Sequence, residues 1–160
     1  MAAFNKDVTA LALANTDFRR EVITTDHSQV VIMSVEPGDD IGEETHEVDQ
    51  VLVFVAGTGD AVLNGRKSHV APGHLVVVPA GTKHNFVNTG EEPLKLYTVY
   101  APPEEEPGTV HRTKAEAEAA EAEEHGGDED EGGDEKPAAK KAAAKKTAAK
   151  KSAAKHASKE

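Results

Sequence analysis

Between Glu21 and Ala101 the chain is a series of short β-rich runs, each ended by a turn signal. The runs are EVITT (21–25), QVVIMSVE (29–36), VDQVLVFVA (48–56), DAVLN (60–64), HLVVVP (74–79), HNFVN (84–88) and LKLYTVYA (94–101). Between them stand PGDD, GTG, NGRK, APGH, PAGTK and NTGEEP, which supply the glycine, proline and asparagine of tight turns. Asn64-Gly65 is a strong hairpin signal, because a type I′ turn needs two consecutive residues at positive φ. No stretch of helical period fits inside this interval, and strands so short favour closure, since an open sheet would leave edges to protect. The expected fold class is all-β: a small antiparallel barrel or double-sheet jelly roll, followed by a short helix and a disordered tail.

The flanks differ in texture from this body. Residues 1–27 are expected to be an N-terminal arm or edge segment, with TALALANTDFRR forming one short helical turn or an extended stretch, and the barrel is placed at 28–112. Thr113 can cap a helix, with Glu116 as its capping-box partner, and the following alanine- and glutamate-rich sequence predicts a helix over 113–125. Its only apolar residue is alanine, so the helix is expected to project rather than to pack deeply. GGDEDEGGDE (126–135) has nothing to bury and reads as an acidic flexible spacer.

Residues 136–160 carry nine lysines against Glu160, so the formal charge of −11 averages an acidic body with a basic tail. The pairs Lys140-Lys141, Lys145-Lys146 and Lys150-Lys151, with Lys155, follow a five-residue spacing. On a helix that spacing sets successive pairs about 140° apart, so the lysines surround the axis and leave no membrane-facing stripe. These lysines suit nonspecific contact with nucleic-acid phosphates; the competing expectation is a solubilising tail that pairs with the acidic spacer. In composition the tail resembles the lysine- and alanine-rich tails of linker histones.

Cysteine is absent, which excludes disulfides, thiolate catalysis and cysteine-ligated zinc or iron–sulfur centres. Any metal must be held by imidazole, carboxylate or amide. The first residues show no signal-peptide or membrane-span pattern, so the expected location is cytoplasmic.

One histidine stands within a run of carboxylates in GEETHEVDQ, just before VLVFV. Glu44 and His46 are two apart, so on an extended backbone both point the same way, and Gln50 keeps that parity. In PGHLVVVPAGTKHNFVN, Pro79 and Gly81 make a turn and His84 opens the next strand. Glu44, His46, Gln50 and His84 would offer one carboxylate, two imidazoles and an amide oxygen, a set suited to Mn, Fe, Co, Ni or Zn. Spacing alone does not say that the two segments meet. Lys83 beside His84 is a candidate for binding an anionic substrate, and Tyr97 and Tyr100 are further substrate-binding candidates. Tyr97 and Tyr100 have opposite strand parity, so only one of them normally faces the pocket. Arg66, Lys67, His69, His74 and His27 are expected to be solvated, and PPEEEPGTVHRT can fold back over the barrel.

The segments GDDIGEETHEVDQVLVFVAG (38–57) and GHLVVVPAGTKHNFVN (73–88) resemble the two consecutive motifs of the cupin superfamily. Gly38, His46 and Gly57 match the first motif, with Glu44 where the first histidine usually stands and Gln50 in place of the usual glutamate. Gly73, Pro79, Gly81, His84 and Asn88 match the second. The resemblance implies a double-stranded β-helix with its pocket inside the barrel, His46 and His84 as ligands of a divalent metal, and a monocupin that pairs as a homodimer and takes a small-molecule ligand. The leading function it implies is a sugar or sugar-phosphate isomerase, since such chains look like the cupin part of mannose-6-phosphate isomerases. Alternatives are an iron-dependent dioxygenase or decarboxylase, and a noncatalytic small-molecule-binding cupin whose tail associates with DNA.

Overall fold

All seven β-rich runs become strands, and two further strands join them among the described residues, 3–126, of a computed structural model. In chain order the elements are α1 (Val8–Ala14), β1 (Arg19–Thr24), β2 (Gln29–Val35), β3 (Asp49–Ala56), β4 (Gly59–Leu63), β5 (Arg66–Val70), β6 (Leu75–Val78), β7 (His84–Asn88), β8 (Leu94–Ala101), β9 (Val110–His111) and α2 (Lys114–Gly126). The acidic spacer beyond Gly126 and the basic tail at 136–160 lie outside the described residues.

Two antiparallel sheets face each other, one in the order β6-β3-β8-β2-β1-β9 and the other β5-β4-β7. Period-two alternation decides what lies between them. Strand β3 turns Gln50, Leu52 and Phe54 inward, β8 turns Leu94, Leu96, Thr98 and Tyr100 inward, and β7 turns His84, Phe86 and Asn88 inward. In register, Phe54 pairs with Leu96, Leu52 with Thr98 and Gln50 with Tyr100. Along these strands an apolar core, with the Phe54 and Phe86 rings 5.6 Å apart, gives way to a polar end. Burial of each such phenylalanine contributes about 2 kcal/mol, so the core holds the polar end in place.

The hairpin forms as its sequence requires, with Asn64 at φ 49° and Gly65 at φ 80°. It leads into β5, which the sequence reading treats as turn and solvated surface. Four of its five residues are exposed, so no apolar alternation announces it; the ladder to β4 makes it a strand. Gly59 is needed for a different reason: a Cβ there would lie 2.2 Å from the carbonyl oxygen of Val87. A Gly59→Ala variant is expected to lose about 2 to 3 kcal/mol of stability, measured as a lower urea midpoint with an unchanged slope.

Helix α2 touches the barrel through its first turns, while most of its described side chains are exposed. Thr113 caps it, its hydroxyl accepting from the Glu116 amide at 3.1 Å, while the Glu116 carboxylate accepts from the Arg112 amide at 2.7 Å. Ala117 is buried, and the Lys114 ammonium is held by Asp39 at 3.1 Å and by Asp40. Lacking bulk, the alanine face lets the helix backbone approach the barrel, and charged pairs at the rim then fasten it. At the other end Asp7 caps α1, and the Lys95 ammonium donates to the Leu13 and Asn15 carbonyls at 2.8 and 2.9 Å.

Candidate metal centre

The two histidine-bearing segments meet because their backbones pair. The Glu44 amide donates to the His84 carbonyl and the His84 amide to the Glu44 carbonyl, each at 2.9 Å. The Gly81 amide donates to the His46 carbonyl at 2.8 Å, and the Asp49 carboxylate accepts from the Ala80 amide at 2.9 Å. Gly81 sits at φ 84°, a region that favours glycine, which explains its place in the turn after Pro79.

This stitching brings Glu44, His46 and His84 together, with one ligand atom from each lying within 4.8 Å of the others. The three could hold a metal ion. His46 Nε2 is 3.0 Å from Glu44 Oε2, and the two imidazole rings are 5.1 Å apart. His84 Nδ1 donates to the Thr82 carbonyl at 2.8 Å, which assigns the proton to Nδ1 and the ligating lone pair to Nε2. Gln50 is buried; its Nε2 donates to Thr98 Oγ1 at 3.2 Å, and Thr98 Oγ1 donates in turn to the Val51 carbonyl at 3.0 Å. Gln50 Oε1 has no hydrogen-bond partner among the described residues. A buried carbonyl oxygen without a donor is costly, and a cation would satisfy it.

Several residues of the centre were not named in the sequence reading. Gln29, buried on β2, accepts from the amides of Glu104 and Glu105 at 3.2 and 2.8 Å and donates to the Glu105 carbonyl at 2.7 Å. It thereby ties the strap after β8 across the barrel end. The strap delivers Glu104, whose Oε1 lies 3.2 Å from His46 Nδ1. It also delivers Glu105, 3.5 Å from the buried guanidinium of Arg19. Arg19 further faces Glu44 at 3.6 Å and Glu121 of α2 at 3.7 Å. Four carboxylates, Glu44, Glu104, Glu105 and Glu121, thus gather around one arginine and His46. That imbalance suits a divalent cation, and with the donor set it makes the residues present a fit for one.

Electrostatics follow from this crowding. Burial disfavours the His46 cation, but hydrogen bonds to Glu104 and Glu44 outweigh it and raise its pKa to about 9. Burial also pushes the Glu105 carboxyl above the usual glutamate range, against the opposing pull of Arg19. Tyr100, fully buried with its ring edge-on to His46 at 5.7 Å, is held well above its ordinary value by burial and so keeps its proton. Between α2 and the loop at Gly42–Glu44 lies a cavity of about 210 Å³, lined in part by Arg19, Glu44, Lys114 and Glu121. Glu44 belongs to both the cavity wall and the centre.

The remaining sequence candidates lie elsewhere. Lys83 is next to His84 in sequence but pairs with Glu43 at 3.4 Å on the exposed rim. Tyr97 is half-buried on the face of β8 opposite Tyr100. Arg66, Lys67, His69, His74 and His27 are exposed.

Residues 31–100 match the cupin domain family. That match, over the barrel, supports membership of the cupin superfamily. The protein YrkC of Bacillus subtilis is 48% identical over 113 residues, 66% of this chain and 61% of that protein. The protein L612 of Acanthamoeba polyphaga mimivirus is 39% identical over 103 residues, 61% of this chain and 64% of that protein. This cupin therefore spans less than two thirds of the length of either relative. A crystal structure of the Bacillus halodurans protein BH2720 superposes with a TM-score of 0.72 at 42% identity, covering 74% of this chain and 95% of that one. KdgF from Halomonas sp. superposes with a TM-score of 0.52 at 26% identity, covering 54% of this cupin and 79% of that chain. No helix among the described residues is long and apolar enough to cross a membrane.

Proposed function

We propose that this cupin is a divalent-metal-dependent isomerase that moves a proton on a small, uncharged, hydroxylated carbonyl compound such as a sugar. The observation that carries the reading is the convergence of Glu44, His46 and His84 beside the half-buried Glu105 carboxyl. A divalent ion held by Glu44, His46 and His84, with the Gln50 oxygen as a further donor, would polarise a substrate carbonyl. Glu105 has its affinity for a proton raised by burial, so it suits the role of a base that takes a proton and returns it. Arg19, 3.5 Å away, holds that carboxyl in orientation, and Tyr100 stays a neutral hydroxyl. Charge argues against the phosphorylated substrate. Among the described residues, Lys83 is engaged by Glu43, Lys114 by Asp39 and Asp40, and Arg19 by Glu44, Glu105 and Glu121, so none of these three cations is left to clamp a phosphate at the cavity.

Two steps test the reading. Elemental analysis of protein purified without added metal should find near-stoichiometric metal, lost in a folded His46→Ala/His84→Ala double variant. Aldoses and ketoses incubated in deuterium oxide with the metal-loaded protein should then gain deuterium beside the carbonyl, and Glu105→Gln should slow that exchange about a thousandfold while the metal stays bound. The two-histidine, one-carboxylate set also suits iron, which favours the dioxygenase or decarboxylase as second reading. Oxygen uptake by the iron-loaded protein without deuterium exchange would replace the first reading with the second.

The basic tail supports a separate proposal, nonspecific association with DNA. Its nine lysines should give the full chain a DNA affinity that falls steeply with salt and is lost when residues 136–160 are removed. Equal binding with and without the tail would overturn it.

A further inference from the structure

We infer that Glu104 is a positioning residue of the metal centre, fixing which nitrogen of His46 faces the ion. The inference rests on the metal reading above and adds to it a residue from outside both histidine-bearing segments. The two ring nitrogens of His46 each meet a carboxylate, Nε2 at Glu44 and Nδ1 at Glu104. They point away from each other, so one ion cannot take both. Glu44 is grouped with His46 and His84, whereas Glu104 stands outside that cluster. The ligating nitrogen is therefore Nε2, and Nδ1 keeps a proton that it donates to Glu104. A carboxylate accepting from the far nitrogen locks the ring orientation and makes the imidazole a stronger donor to the metal.

The strap carrying Glu104 is anchored for this task. A flexible glutamate after the last long strand would lose the contact to solvent, but three hydrogen bonds between Gln29 and the strap backbone fix residues 104 and 105. Gln29 is itself 1% exposed and is held by Thr24 Oγ1 at 2.8 Å. Residues distant in sequence, on β2 and after β8, thus set the geometry of a histidine that precedes β3. The strap is part of the centre as well as its cover.

Zinc is the probe for the test, because it is diamagnetic and lacks redox chemistry. Zinc affinity is measured by competition with a chelator for the natural chain, Glu104→Gln, Glu104→Asp and the His46→Ala/His84→Ala double variant, each checked for folding by circular dichroism. Glu104→Gln keeps the shape and removes the charge; it should bind zinc about 10- to 100-fold more weakly, and Glu104→Asp should recover part of that loss. In the zinc-loaded natural chain, the His46 Nδ1 proton should give a strongly downfield NMR resonance that moves upfield in Glu104→Gln. Equal zinc affinity and an unmoved resonance in Glu104→Gln would overturn the role of Glu104 and leave the metal centre standing. Failure of the natural chain to bind zinc, or retention of binding by the double histidine variant, would overturn both.

Discussion

Replacing Arg19 with methionine is expected to cost the metal-free protein about 4 kcal/mol at mildly alkaline pH, and much less at mildly acidic pH. The side chain is buried and lies within 3.5 to 3.7 Å of Glu105, Glu44 and Glu121. Methionine keeps much of the volume, so the loss comes from leaving carboxylates without their cation rather than from a void. Its pH dependence has a definite sign. Burial already raises the folded-state pKa of Glu105 while Arg19 lowers it, so removing Arg19 raises that pKa further. A carboxyl whose folded pKa lies above its unfolded value destabilises the fold as pH rises through that interval, and does not do so once both states are protonated. Urea unfolding of both chains with chelator present, at about pH 5 and about pH 8, checks this. An equal loss at both pH values would mean that Arg19 acts by packing alone.

Arg19 also shows which parts of this protein can be read from sequence. The barrel is legible because its inner face is written as alternation: Gln50, Leu52 and Phe54 on one strand and Leu94, Leu96, Thr98 and Tyr100 on another. Glu44, His46 and His84 are legible because both segments carry turn residues at positions that fix the backbone around them. Strand β5 is not, since Arg66 to His69 face solvent and need no pattern. Parity explains Lys83: it neighbours the inward-facing His84 and so points outward, to Glu43. Arg19, Gln29, Glu104 and Glu105 escape local reading because each is defined by a partner far along the chain. The strap could be suspected of folding back, but three consecutive glutamates look like a solvated run until Gln29 is seen binding their backbone. Helix α2 builds no apolar stripe, and only Ala117 enters the core; what escapes local reading is that alanine is small enough to permit this contact.

Metal binding is expected to release about one proton per ion at neutral pH, and to weaken about tenfold for each pH unit below about 9. In the metal-free protein His46 is an imidazolium held between Glu44 and Glu104. A metal ligand must be a neutral imidazole, so the ion has to displace the Nε2 proton while the Nδ1 proton stays on Glu104's side. Between about pH 7 and pH 9 the gain in affinity should be roughly a hundredfold, about 2.7 kcal/mol. The metal-free fold has the opposite trend. The folded pKa of His46, about 9, exceeds its ordinary value of 6.5. Its contribution, on the order of 3 kcal/mol, is fully present below about pH 6.5 and is lost as pH rises through about 9. Raising the pH therefore loosens the empty barrel while tightening its hold on an ion, because one proton on one nitrogen serves both balances. Calorimetric zinc titrations in buffers of different ionisation enthalpy, paired with thermal unfolding in chelator, measure the two trends separately. Zinc affinity that stays flat from neutral pH to about pH 9 would mean that His46 is already neutral at about pH 7, and would overturn its raised pKa and the proton competition built on it.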